Sequence, residues 1–105
     1  MPPPELCLDS FLQFLADRSY EVVGYSGLSF FRNPLAEWLS LSCGCLVAVD
    51  TDSYSYVFSS CSRPLPCWAR RLVAWLEACS PAPLTGEMVF TILAQLEAGA
   101  RFPHF

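Results

Sequence analysis

Apolar residues recur at helical spacing in four stretches of the chain. Leu8, Phe11, Leu12 and Leu15 lie at positions i, i+3, i+4 and i+7, which places them on one face of an α-helix. The prolines at positions 2–4 suit the first turn of that helix. Similar apolar stripes follow in the middle and in the C-terminal part of the chain. The pattern predicts four helices, over residues 4–18, 34–41, 66–79 and 86–98.

Capping residues indicate where several of these helices begin and end. Asn33 is a good N-cap, and Pro34 behind it suits the first helical position because the N–H that it lacks would have no partner there. Thr85 is the corresponding N-cap of the last helix. Pro81 and Pro83 end the third helix, since proline cannot continue its hydrogen bonds.

Two neighbouring segments have the pattern of paired strands. Residues 45–49 are nearly all apolar, and residues 54–58 alternate aromatic with smaller side chains. The short polar residues at 50–53 favour a turn between them, which predicts a β-hairpin. Residues 20–25 read as a third strand that extends it. We therefore expect an α+β fold, with an antiparallel β-hairpin or three-stranded sheet packed against about four helices.

Chain length and composition indicate one folded unit. A chain of 105 residues that is 53% hydrophobic and only 15% charged can bury enough apolar surface to offset its chain entropy. We expect a single domain over residues 1–105. Its last residues, 100–105, form a short tail that is prone to fray.

The charged residues exclude several function classes. All six basic residues are arginines, so the lysines of phosphate-binding loops and of Schiff-base enzymes are missing. The net charge is −4 and the arginines are not clustered, so we expect no nucleic-acid binding. No apolar run approaches the ~18 residues of a membrane span, and the N-terminus lacks the basic region of a secretion signal. These features predict a soluble, cytoplasmic protein.

Cysteine and histidine are the residues on which metal or acid–base chemistry would depend. Zinc bound by Cys43, Cys45, Cys61 and Cys67 is one alternative, but structural zinc sites usually contain two closely spaced ligand pairs, which this sequence lacks. We expect free thiols, no metal and no cofactor, and a disulfide between Cys61 and Cys67, which would close the proline-rich loop between them, is the alternative. His104 is the only histidine, and a base on a fraying tail is not held in place for catalysis. We expect no enzymatic activity.

Two segments carry a resemblance to a group of known proteins. Residues 34–39 read P-L-A-x-aromatic-L, and residues 65–73 read L-P-x-W-A-x-x-hydrophobic-V. With these motifs and their order, the chain resembles small uncharacterised bacterial and phage-borne proteins. It departs from them at Asn33, where many have cysteine. The shared motifs are helix caps and core faces, so the resemblance implies an order of elements and no activity.

The number of aromatic residues suggests how the protein acts. Fifteen residues are Phe, Trp or Tyr, and four of them, Phe11, Trp68, Trp75 and Phe90, fall in helices whose apolar faces need cover. A domain of this size cannot bury all fifteen, and exposed rings are enriched in interfaces. Our candidate partner-binding residues are Tyr25, Tyr54, Tyr56, Phe102 and Phe105. Alternatively, Tyr54, Tyr56 and Phe58 form the covered face of the sheet.

These observations predict a small, non-enzymatic protein-interaction or regulatory module. It would bind another protein, or a second copy of itself, through exposed aromatic surface. The alternative is a small-ligand or zinc-binding protein that uses the cysteines near the hairpin.

Overall fold

The computed structural model describes residues 6–27, 31–57 and 61–97, and its architecture is α+β as predicted. These three ranges contain four helices and five short strands. In chain order these are α1 (Leu8–Asp17), β1 (Val22–Tyr25), α2 (Pro34–Cys43), β2 (Val47–Val49), β3 (Ser53–Tyr56), β4 (Ser62–Pro64), α3 (Cys67–Ala78), β5 (Pro83–Thr85) and α4 (Gly86–Glu97).

All four predicted helices are confirmed, with small differences at their ends. The largest difference is at α1, which begins at Leu8, after the extended Cys7. The three prolines at positions 2–4 lie outside the described residues. Asn33 caps α2 as expected: its Oδ1 accepts the Ala36 N–H at 2.9 Å, and its Nδ2 donates to Val49 O at 3.3 Å. The Thr85 Oγ1 accepts the Met88 N–H at 3.3 Å, which confirms the predicted N-cap of α4.

The predicted hairpin is present, but its third strand is not the one that we expected. Strands β2 and β3 pair antiparallel, and β4 lies on the other side of β3. The expectation that residues 20–25 extend this sheet is wrong, because β1 pairs with β5 in a separate two-stranded sheet. Within the three described ranges, β4 and β5 each pair with a strand on one side only, and proline is tolerated at such a sheet edge.

One hydrophobic core joins the helices to both sheets. Phe11 is completely buried, and its ring lies 4.9 Å from that of Trp38, 5.7 Å from that of Trp68 and 6.2 Å from that of Phe14, measured between ring centroids. Such tilted and offset ring pairs are favourable beyond the area that they bury. The apolar stripe of α1 therefore meets α2 and α3 in an aromatic cluster.

The first turn of α4 lies directly against the end of α1. The Gly86 N–H donates to the carbonyl oxygens of Arg18 and Glu21, each at 3.2 Å. A Cβ at position 86 would collide with the backbone of Leu15 and Arg18, the Arg18 oxygen being only 2.5 Å away. This contact requires glycine, and it holds α1 and α4 side by side.

None of the helices in the three described ranges has both the length and the apolarity to cross a lipid bilayer.

Candidate binding surfaces

The candidate aromatic residues differ in how accessible they are. Tyr54 is only 3% exposed, so the expectation that its ring is an exposed anchor is wrong. Tyr56 is half-buried and packs against the core. Tyr25 is also half-buried, and the Arg32 guanidinium covers its ring at 4.2 Å from the centroid. Phe102, Phe105 and Phe58 lie outside the described residues.

The pairing of β2 with β3 explains why Tyr54 faces inward. Tyr54 lies opposite Val49 and Tyr56 opposite Val47, and both valines are buried. Residues that face each other across an antiparallel pair project from the same side of the sheet. The alternation in the sequence therefore predicted correctly that Tyr54 and Tyr56 lie on the same face of the sheet. Their buried valine partners show that this is the face covered by the core.

The four cysteines of the zinc alternative are not brought together into one site. Cys43 is half-buried and its side chain shares a hydrogen bond with that of Tyr56, while Cys45, Cys61 and Cys67 are exposed. Partial burial raises the pKa of the Tyr56 hydroxyl, and the neighbouring Cys43 thiol adds to this shift. Within the described ranges, no three His, Cys, Asp or Glu side chains lie close enough to share a metal ion. None of the six thiols forms a disulfide in the structure.

Cys7 and Cys79 have thiols of opposite character. Exposed Cys7 precedes the first turn of α1, where the amide and hydroxyl of Ser10, followed by the Asp9 amide, lower its pKa by favouring the thiolate. Cys79 lies at the end of α3, where burial raises the pKa of its thiol. Its S–H donates to Trp75 O at 3.4 Å.

We expect Cys7 to be alkylated before Cys79 at every pH below the ordinary thiol pKa. The thiolate is the nucleophile, so a lowered pKa brings the Cys7 reaction to lower pH and a raised pKa moves the Cys79 reaction to higher pH. Iodoacetamide labelling across a pH series, read by peptide mass spectrometry, measures both. Ser10→Ala should move the Cys7 profile to higher pH and leave that of Cys79 in place. Equal profiles for Cys7 and Cys79 in the wild type would contradict this assignment.

Helix α4 has an exposed apolar face that was not predicted. The expectation that Phe90 is covered is wrong: it is 46% exposed, and Met88 is 47% exposed, while Val89, Leu93 and Leu96 are buried on the inner side. From position 88 to position 96 the helix has no charged residue. A helix that is apolar on more than one side normally has another element packed against each of those sides. The stretch of nine uncharged residues is the sequence signal for a second apolar face on α4.

Phe90 stands between two hollows along the boundary of α1 and α4. The first, of about 130 Å³, lies towards Leu12 and is bordered by Glu97. The second, of about 240 Å³, lies towards Ala16 and is bordered by Glu87. We call Phe90, its two hollows and these two glutamates the Phe90 seam. Its centre is apolar, and each end carries a carboxylate.

A larger groove borders the side of α4 that carries Met88 and Ile92, and Glu87 borders both this groove and the Phe90 seam. This groove has a volume of about 510 Å³ and lies between α3, α4, β5 and the segment that links α3 to β5. We call it the Trp75 groove. Its lining includes Trp75, Leu76, Cys79, Leu84, Met88 and Ile92.

Comparisons with protein-family models, with curated proteins and with solved structures find no match to this chain. The resemblance to small bacterial and phage-borne proteins stays a prediction.

Proposed function

We propose that this protein is a non-enzymatic interaction module and that its docking surface is the Phe90 seam. The observation that carries the proposal is the half-exposed Phe90 ring on a face of α4 without charge between Glu87 and Glu97. A large aromatic side chain between two hollows is the kind of anchor on which protein interfaces depend. The surface is therefore α4, and not the hairpin tyrosines.

The charges at the seam favour a basic partner. Glu87 and Glu97 are exposed and ten positions apart, which is about 15 Å along a helix. Among the described residues that line the two hollows, neither arginine nor lysine is present. A second copy of this chain would place glutamate opposite glutamate, and both copies carry a net charge of −4. The partner that fits is an amphipathic helix of another protein, with an apolar face and Lys or Arg about three turns apart.

The non-enzymatic part of the proposal rests on the sequence. The chain has a single histidine, no lysine and a low content of charged residues.

A model peptide tests the docking surface directly. We expect a fluorescently labelled amphipathic helix of Leu and Lys to bind the protein, and an otherwise identical helix of Leu and Glu to bind much more weakly. Phe90→Glu should weaken binding of the Leu/Lys helix by about tenfold, because it places a charge at the apolar centre of the seam. Fluorescence anisotropy measures both affinities.

Tyr20→Glu is the matched control. Tyr20 is 89% exposed and does not line either hollow, and its substitution adds the same negative charge as Phe90→Glu. If the basic peptide bound by electrostatic attraction alone, the added negative charge would strengthen its binding equally in the two variants. Equal affinities of the two variants for the Leu/Lys helix would therefore overturn the proposal.

A further inference from the structure

The Trp75 groove has the size and lining of a small-molecule site. Ligand pockets typically measure about 300–1,000 Å³ and are mostly apolar with a few polar groups, and this groove of about 510 Å³ lies within that range. Trp75 and Leu76 of α3, Leu84 of β5 and Met88 and Ile92 of α4 supply apolar walls. Ser26 and Ser80 contribute polar edges.

Trp75 contributes a buried hydrogen-bond donor that has no acceptor. The residue is 3% exposed, and its Nε1 is buried without a hydrogen-bond partner in the part of the chain that the structure describes. Buried indole N–H groups normally have a partner, because an unmet donor costs free energy. Two other lining residues have hydroxyl donors, and both of these donors already have an acceptor. The Ser26 hydroxyl donates to Ser80 O at 2.7 Å, and the Thr91 hydroxyl donates to Glu87 O at 3.0 Å.

The charge of the groove selects against anions. Glu87 is a carboxylate at its edge, and no arginine or lysine lies among the described lining residues. Cys79 is the other ionisable lining residue, and burial raises the pKa of its thiol, which favours the neutral form. An anionic ligand would meet a like charge and no compensating cation.

We propose that the Trp75 groove binds a neutral, largely apolar small molecule whose carbonyl-type oxygen accepts the Trp75 indole N–H. Because Nε1 is covered, a ligand reaches it only after a neighbouring side chain moves. Met88, an unbranched and half-exposed residue of the lining, is suited to such a movement. The Trp75 groove shares Glu87 with the Phe90 seam, but it lies on the Met88 side of α4 and takes a different class of ligand.

Three fluorescent dyes test the two chemical requirements of the ligand. N-phenyl-1-naphthylamine is neutral and has no carbonyl group, 8-anilino-1-naphthalenesulfonate differs from it by an anionic sulfonate, and Nile red is neutral with a carbonyl oxygen. We expect the sulfonate to bind about tenfold more weakly than its neutral analogue. Trp75→Phe removes the N–H and retains an aromatic ring, so it should weaken Nile red by about tenfold and leave N-phenyl-1-naphthylamine within about twofold.

A pair of charged variants on opposite sides of α4 locates the site. Met88 and Phe90 are equally exposed, but only Met88 lines the Trp75 groove. Met88→Glu should weaken both neutral dyes by about tenfold, and Phe90→Glu should leave both unchanged. The Leu/Lys helix should show the larger loss with Phe90→Glu, so failure of one proposal is distinguishable from failure of the other.

Three results would overturn the inference. Equal or tighter binding of the sulfonate dye would exclude selection for neutral ligands. Equal losses of both neutral dyes with Trp75→Phe would show that ring shape, and not the N–H, determines binding. Dye binding that is unaffected by Met88→Glu would place the site elsewhere. Circular dichroism of each variant confirms that it is folded when affinity is measured.

Discussion

Replacement of Phe11 by alanine is expected to lower the free energy of unfolding by about 4 kcal/mol, a large part of the stability of a domain of this size. Phe11 has no exposed surface, and its ring contacts those of Phe14, Trp38 and Trp68. Truncation removes these contacts and leaves a cavity between α1, α2 and α3. Urea denaturation followed by circular dichroism measures the change, with a constant m-value as the sign that unfolding remains two-state.

Phe90→Ala is the matched control for this experiment. It removes the same atoms from a helix, but Phe90 is already 46% exposed. We expect a loss of about 1 kcal/mol or less. A loss from Phe90→Ala as large as that from Phe11→Ala would show that the aromatic cluster around Phe11 is not the centre of the core.

Gly86→Ala is expected to destabilise the protein by about 3 kcal/mol, although it adds a single methyl group and alanine favours helices. The new Cβ would collide with the carbonyl oxygens of Leu15 and Arg18, which are backbone atoms and cannot move aside like the end of a flexible side chain. Relief requires α4 to move away from α1, which lengthens the two hydrogen bonds of the Gly86 N–H. Urea denaturation measures this change as well.

Gly44→Ala separates this steric effect from the ordinary cost of replacing glycine. Gly44 ends α2 with φ at +71°, and a Cβ there would meet no atom within 4 Å. Its replacement should cost about 1 kcal/mol, from the left-handed backbone conformation alone. A smaller loss from Gly86→Ala than from Gly44→Ala would contradict the close contact between α1 and α4.

Local signals in the sequence determined the helices and the hairpin. Asn33 caps α2 through its own side chain, and Asp50 closes the hairpin turn by donating its N–H to Ser53 O at 2.8 Å. These interactions join residues only three positions apart, so the sequence pattern contains them in full. Local periodicity also places Leu72, Trp75 and Leu76 on one face of α3, and that face is buried as predicted.

Contacts between distant segments could not be predicted in this way. Strands β1 and β5 pair although about 60 positions separate them, and β5 is only three residues long. Nothing in residues 20–25 distinguishes this partner from the hairpin, because strand propensity describes a segment and not its neighbour. The assignment of residues 20–25 to the hairpin sheet failed on this point.

The two candidate sites illustrate the same division between sequence and fold. The sequence by itself determined that Trp75 and Phe90 lie on helices and that no charge interrupts α4 from position 88 to position 96. Only the tertiary structure decided which rings are exposed: Phe90 at the boundary with α1 remains accessible, and Tyr54 opposite Val49 is covered. The physical reason is that periodicity groups residues onto a face, whereas burial of that face depends on elements packed against it from elsewhere in the chain.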